Sequence, residues 1–282
     1  VEKETGFKGF MARRRGRSQG EKVARSLLRA AGVKVPNSSI RFSSRSFKKK
    51  NGLEKFLIFL VFAVVVGIFI GVVLPKLSPE VGQLTGSYHA VGNAAETLET
   101  LKIVDRPHPT KTYNRELFGY QKTDEDGDGC PIREDVLARD LTDVKYTAAG
   151  SCKVKTGTLK DPYTGTTIHF VRGVKTSSRV QIDHVVALNN AWESGAYSWD
   201  SAQLYKYGND SYNMLAVDGP ANEEKSDASA AYWLPENTAF QCDYVARQIG
   251  VKAKYKLTVT STEKQAMLKV LHGCPGEAVP TK

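Results

Sequence analysis

QIDHVVALNNAWESGAYSWDSAQLYKYGNDSYNMLAVDGPANEEKSD, residues Gln181 to Asp227, is the stretch on which the reading of this chain turns. It begins inside an apolar, β-branched run, Val180 to Val186, that reads as a strand interrupted by Asp183 and His184. Leu188 to Gly208, with Trp192 and Trp199, has the spacing of one or two helices. Asn213 to Val217 is a short buried strand, and Ala221 to Tyr232 a helix. Strand, helical insertion, strand, helix therefore frames Asp183, His184, Asn213, Asn222 and Lys225.

These residue types suit one chemistry. His184 is the candidate general base, since an imidazole near its ordinary pKa of ~6.5 is available to take a proton from water. Asp183 sits among Val180, Ile182, Val185 and Val186. A carboxylate there is costly to bury unless it is paired or holds a metal. Neighbouring strand residues face opposite ways, so for Asp183 and His184 to share a site the strand must end or twist there. Asn222 would add an amide oxygen, and carboxylate, amide and water oxygens favour Mg²⁺ or Mn²⁺ over zinc. Lys225, one helical turn on, could neutralise charge developing on a phosphate. Asn213 is expected to hold the loop between the strands through side-chain to backbone hydrogen bonds. Together these are the parts needed to cut a phosphodiester with one divalent metal.

Around this stretch, Glu134 to Leu141 reads as a short helix and Thr166 to Val171 as a strand. Asp243 to Tyr255 and Thr262 to Leu271 read as further helices, giving an α+β domain. His169, Arg172 and Arg179 are candidate phosphate contacts. DEDGDGCPIRED, Asp124 to Asp135, places Asp124, Asp126 and Asp128 at loop positions 1, 3 and 5, glycine at 6 and Asp135 at 12. That approaches an EF-hand calcium loop, although position 12 is Asp rather than Glu and no helix is evident before it.

Charge is unevenly placed. The chain carries +10, but residues 1–55 alone carry +12, leaving −2 for residues 75–282. Basicity therefore gives no argument for nucleic-acid affinity in the globular part. Residues 1–55 read as a disordered basic tail resting on anionic lipid, with Met11 as an alternative start. Phe56 to Leu74 has no charged residue and the length of a membrane-spanning helix. A cleaved signal sequence is the alternative, opposed by the length of the run and by PKLSPE, which lacks a small-x-small cleavage site. Lys48, Lys49, Lys50 and Lys55 before the run put the amino terminus in the cytoplasm and the remainder outside. All four cysteines follow the span, so two disulfides are expected. Of three connectivities, neighbour pairing is the expectation: Cys130 with Cys152 and Cys242 with Cys274. Residues 75–110 read as an extracellular linker and 111–282 as the folded domain.

Asp183-His184, then Asn213, then Asn222-x-x-Lys225-x-Asp227 resembles the HNH, ββα-metal or His-Me finger nuclease motif. The step from Asn213 to Asn222 followed by Lys225, Ser226 and Asp227 is similar to the HNH domain of the RNA-guided CRISPR nuclease. DPYTGTTIHFVRG, QIDHVVAL, NMLAVDGPANEEKSD and YWLPENTAFQCDYVARQIGVKAKY resemble secreted actinobacterial proteins with the GmrSD-type HNH endonuclease C-terminal domain. The resemblance implies a ββα-metal core with additional helices, with Asp183 and Asn222 on the metal and His184 activating water. It implies Asn213 and Asp227 as structural members of the motif, and products with 5′-phosphate and 3′-hydroxyl ends. Asn222 stands where the founding motif has His.

The expectation is thus a membrane-anchored extracellular endonuclease of low sequence specificity, with DNA a better substrate than RNA and no small-molecule cofactor. The competing reading is a non-catalytic calcium-binding surface module attached to wall polymer or a partner. The Asp124 to Asp135 loop favours that reading, whereas His184 and Asn222 do not, because a binding module needs no base. A phosphatase or another phosphodiesterase is a third reading.

Overall fold

The computed structural model describes residues 51–73, 88–120, 124 and 127–281, in two units, 1–71 and 72–282. Residues 1–50 of the predicted basic tail, Leu74, residues 75–87 of the predicted linker, and Asp126 lie outside the described residues, and Gly52 to Lys55, expected in the disordered tail, are helical. Helix α1, Gly52–Ile68, continues as a π-helical turn, Phe69–Val73. Together they span 22 residues of mean hydropathy 3.2, none of them buried, long and apolar enough to cross a membrane.

The second unit runs α2 (Asn93–Thr100), α3 (Ile132–Asp140), β1 (Leu141–Tyr146), β2 (Val154–Lys160), β3 (Thr167–Val171) and β4 (Val180–His184). It continues α4 (Leu188–Glu193), α5 (Ser201–Gly208), β5 (Met214–Asp218), α6 (Gly219–Lys225), α7 (Gln241–Lys254) and α8 (Ser261–His272). Strands β1, β2 and β3 form an antiparallel sheet, and β4 and β5 a separate antiparallel pair followed directly by α6. The α+β class and the strand–insertion–strand–helix order are both present.

Each core follows from an apolar stripe. On α3, Ile132, Val136 and Leu137 form one face and pack between the sheets. They meet Leu159, Ile168 and Phe170 on one side and Ile182, Met214 and Ala216 on the other. Beyond the β4–β5 pair, Val185 and Val217 meet Tyr244, Val245 and Ile249 of α7. A third, aromatic cluster joins Phe118, Trp192, Tyr207 and Tyr255. Cys130–Cys152 fastens the approach to α3 to the β1–β2 connection, and Cys242–Cys274 fastens α7 to the end of α8, the neighbour pairing expected. Each closes a loop long enough to contribute about 3–4 kcal/mol by restricting the unfolded chain.

Two expectations need correction. The linker does not extend to residue 110, because α2 buries Ala94, Ala95 and Leu98 in the α7–α8 core. After it, Val104 N–H donates to Val259 O. The apolar stripe of α2 is only two turns long and is masked in sequence by the polar residues between. The helix expected to reach Tyr232 stops at Lys225, where Ser226 takes φ 49° and breaks the helical path. Strands β1 and β2 had no expectation, since LTDVKY and VKTGTLK are rich in Lys and Thr.

Gly208 shows how closely the site is supported. An added Cβ there would overlap the Phe118 carbonyl oxygen, which backbone cannot yield. Gly208→Ala is expected to cost about 1–3 kcal/mol by overpacking, read as a lower midpoint in urea unfolding.

Candidate active site

The strand β4 ends at His184, which meets the geometric demand set by adjacent Asp183 and His184. Both residues line one cleft of about 520 Å³, together with Gln181, Asn222, Asp227 and Arg115.

Asp183 is buried and doubly paired. Tyr163, from the β2–β3 connection, donates its hydroxyl to Oδ2 at 2.5 Å, and Lys225 Nζ donates to Oδ1 at 2.9 Å. Burial pushes the Asp183 carboxyl up, opposed by Lys225 and then by the Tyr163 hydrogen bond. Lys225 is fully buried and also donates to the His184 carbonyl at 3.0 Å. It is therefore a buried counter-charge and brace for Asp183, not a free cation facing a phosphate. The sequence places Asp183 on a strand and Lys225 on a later helix but does not show which way the ammonium turns.

His184 is held from two sides. Its Nε2 lies 2.9 Å from Gly208 O, and because a carbonyl only accepts, Nε2 carries the proton and Nδ1 is left as the acceptor. The Tyr120 ring packs edge-on at 4.8 Å. Burial pushes the imidazole down to about 4, and Arg115 and Lys225 act in the same direction against the Gly208 hydrogen bond. At neutral pH the ring is a neutral base with a fixed tautomer.

Asn213 closes the loop that follows His184. Its Oδ1 accepts Val186 N–H at 2.9 Å and its Nδ2 donates to Val186 O at 3.1 Å. The side chain thus replaces a rung of the ladder just where β4 has ended. At Asn222 a chain of amides sets orientation. Gln181 Nε2 donates to Glu223 Oε1 at 2.9 Å, which turns Gln181 Oε1 toward Asn222 Nδ2 at 2.8 Å. With its nitrogen committed, Asn222 keeps its carbonyl oxygen for another partner. Asp227 accepts from Asn189 Nδ2 at 2.6 Å on the cleft wall.

The donor chemistry fits a hard divalent cation. A carboxylate at Asp183 and an oriented amide oxygen at Asn222 are oxygen ligands, with no thiolate or second imidazole beside them. Each Asp183 oxygen accepts one hydrogen bond and retains a lone pair.

The three residues expected to contact phosphate do not line this cleft. His169, on β3, lies 3.4 Å from Thr158 Oγ1. Arg172 is tied to Glu134 at 2.5 Å and to Val154 O, which makes it a brace between α3 and β2. Arg179 is 3.5 Å from Asp218, the N-cap of α6. The exposed cation on the cleft is Arg115, which no motif flagged. It sits on a one-turn 3₁₀ helix, Arg115–Phe118, capped by Asn114 and closed by Gly119 at φ 61°. Its guanidinium stands 5.8 Å from the Tyr120 ring centroid. A fixed turn, with aromatic Phe118 before a left-handed glycine, is the sequence signal for this anchor.

In the acidic loop, Asp124 accepts Gly127 and Gly129 N–H at 2.8 Å, and Asp128 accepts Cys130 N–H at 2.8 Å. The carboxylates of Asp128 and Asp135 gather within 4.8 Å of each other and of the Cys130 sulfur. That sulfur is in the disulfide to Cys152.

Residues 132–270 match the family model of the C-terminal domain of GmrSD restriction endonucleases. A protein of Arthroderma benhamiae (strain ATCC MYA-4681 / CBS 112371), described as an uncharacterized secreted protein, is 38% identical over 186 residues, covering 64% of this chain and 86% of that one. No solved structure matches. The chain belongs to the GmrSD restriction endonuclease C-terminal domain family, a nuclease-type family of the HNH kind. Asp183, His184, Asn213, Asn222, Lys225 and Asp227 all fall within the matched residues, whereas Arg115 and Tyr120 lie before them.

Proposed function

We propose that residues 88–281 form an HNH-type endonuclease with a ββα-metal core, hydrolysing phosphodiesters of nucleic acid with the aid of Mg²⁺ or Mn²⁺. The observation that carries this reading is His184 at the cleft, neutral and with Nε2–H committed to Gly208 O, beside buried Asp183. Nδ1 takes a proton from a water whose oxygen attacks phosphorus, the bond from phosphorus to the 3′ oxygen breaks, and that oxygen leaves and takes a proton from solvent. Asp183 and Asn222 would hold the divalent ion, whose chemistry when bound would be to stabilise negative charge on the phosphate and leaving oxygen. Lys225 and Tyr163 fix the Asp183 carboxylate, and Gln181 and Glu223 fix the Asn222 amide. Arg115 supplies the cation that meets the phosphate. DNA is the favoured substrate, cut with low sequence specificity.

Arg115→Ala is expected to lower kcat/KM for plasmid nicking on the order of 10²-fold, as loss of a positioned transition-state donor does. Arg172→Ala, by contrast, is expected to act through stability alone. Unchanged nicking by Arg115→Ala would remove the residue from the mechanism.

In this proposal the helix Gly52–Val73 anchors the domain at the outer face of a membrane with the amino terminus inside, release by cleavage being the alternative. The relative's description as secreted supports the extracellular placement. The Asp124 to Asp135 turn is a proposed structural Ca²⁺ site that braces the Cys130–Cys152 region rather than taking part in hydrolysis.

A further inference from the structure

Beside the catalytic cleft lies a second recess of about 410 Å³. Asn189 and Asp227 line both, so their mutual hydrogen bond forms the ridge between the two. The chemistry changes across that ridge. The catalytic cleft has Arg115, while the described residues lining the second recess include no Lys or Arg and add Glu193 and Glu263 to the shared Asp227. Those walls repel a phosphate. Val104, Pro107 and Val259 give it an apolar flank.

Two groups point to a particular ligand chemistry. Asn190 lines the recess, and its Oδ1 is buried without a hydrogen-bond partner. A buried acceptor left unmade costs about 1–3 kcal/mol, so turning the Asn190 amide outward to meet a ligand N–H in the recess would be favoured. Tyr232, on the same recess, is 83% exposed, far more than any other Tyr described as exposed. Its backbone N–H donates to Ser229 O at 3.0 Å, which holds its backbone in a turn. An open aromatic face, a neutral acceptor, an apolar flank and no cation together match a heteroaromatic base rather than a sugar-phosphate.

We propose that this recess is a nucleobase subsite. A base neighbouring the scissile phosphate leaves its stack, lies against Tyr232 and donates an N–H to Asn190 Oδ1. The inference rests on the nuclease reading of the adjoining cleft and narrows its substrate to single-stranded or locally unpaired nucleic acid. A base held in a duplex is stacked on both faces and cannot enter.

The test uses the detergent-solubilised full chain and a single-stranded DNA oligonucleotide with one 2-aminopurine moved from position to position. In EDTA, fluorescence at one position is expected to fall on binding, with the fall lost in Tyr232→Ala and kept in Tyr232→Phe. Tyr232 is exposed, so neither change should unfold the chain. With Mn²⁺, Tyr232→Ala should lower kcat/KM about tenfold, in line with loss of one base–aromatic stack. An abasic site at that position should lower wild-type kcat/KM equally, and the two changes together should give no further loss. Fluorescence that is unchanged at every position, or the same in wild type and Tyr232→Ala, would overturn the subsite. So would a full Tyr232→Ala loss on the abasic strand; the nuclease itself would then stand. A Tyr232-dependent fall in a protein that cleaves nothing would keep the subsite and remove the nuclease reading.

Discussion

His184→Ala is expected to lower the cleavage rate about 10²–10⁴-fold, the range over which a positioned general base acts. The imidazole is clamped by the Gly208 carbonyl at one nitrogen and by the Tyr120 ring, so only Nδ1 is available to water. The carboxylates among the described residues lining the cleft are each committed: Asp183 to Lys225 and Tyr163, Asp227 to Asn189, and Glu223 to Gln181. His184→Gln serves as a companion, because it fills more of the space under Tyr120 yet cannot act as a base near neutral pH. Loss in both variants, with unfolding midpoints near wild type in the second, assigns the loss to proton transfer. A variant that cleaves at the wild-type rate would contradict the assignment of His184.

Lys225→Ala is expected to be the most damaging single change to stability. Lys225 is wholly buried, and its ammonium is the counter-charge to buried Asp183. Removing one partner of such a pair costs about 3–5 kcal/mol, because the other charge stays buried without compensation. For a domain of this size that corresponds to a thermal midpoint lower by roughly 10 °C. Adding Asp183→Asn should recover part of the loss, since the orphaned charge is then gone, and the size of the recovery measures the coupling. A midpoint within about 2 °C of wild type for Lys225→Ala alone would show that water or rearrangement satisfies Asp183 and that Lys225 is not its brace.

What the sequence displays and what it hides divide along physical lines. The β4–β5 pair is legible because Val180 to Val186 and Asn213 to Val217 are apolar runs bounded by polar turns, and the same runs isolate Asp183, His184 and Asn213. Asn213 is legible in type and in role, since an amide within a short apolar run has few uses other than satisfying backbone. The direction of a long side chain is not legible. Lys225 turns inward to Asp183, and Arg172 turns to Glu134, although the sequence allows either to reach a phosphate. Arg115 is hidden for the opposite reason. It lies far ahead of the motif, and only tertiary packing of Phe118 against Trp192 and Tyr207 brings it to the cleft. The left-handed Ser226 that ends α6 early is also invisible, because serine carries no preference for that conformation.

The most direct measurement is cleavage of supercoiled plasmid and of RNA by the purified chain with Mg²⁺, Mn²⁺, Ca²⁺ or EDTA. Nicking and linearisation are expected with Mg²⁺ or Mn²⁺, none with EDTA, and less cleavage of RNA than of DNA. Full cleavage in EDTA, or no cleavage of any nucleic acid by a folded protein that Ca²⁺ still stabilises, would contradict the metal-dependent nuclease reading.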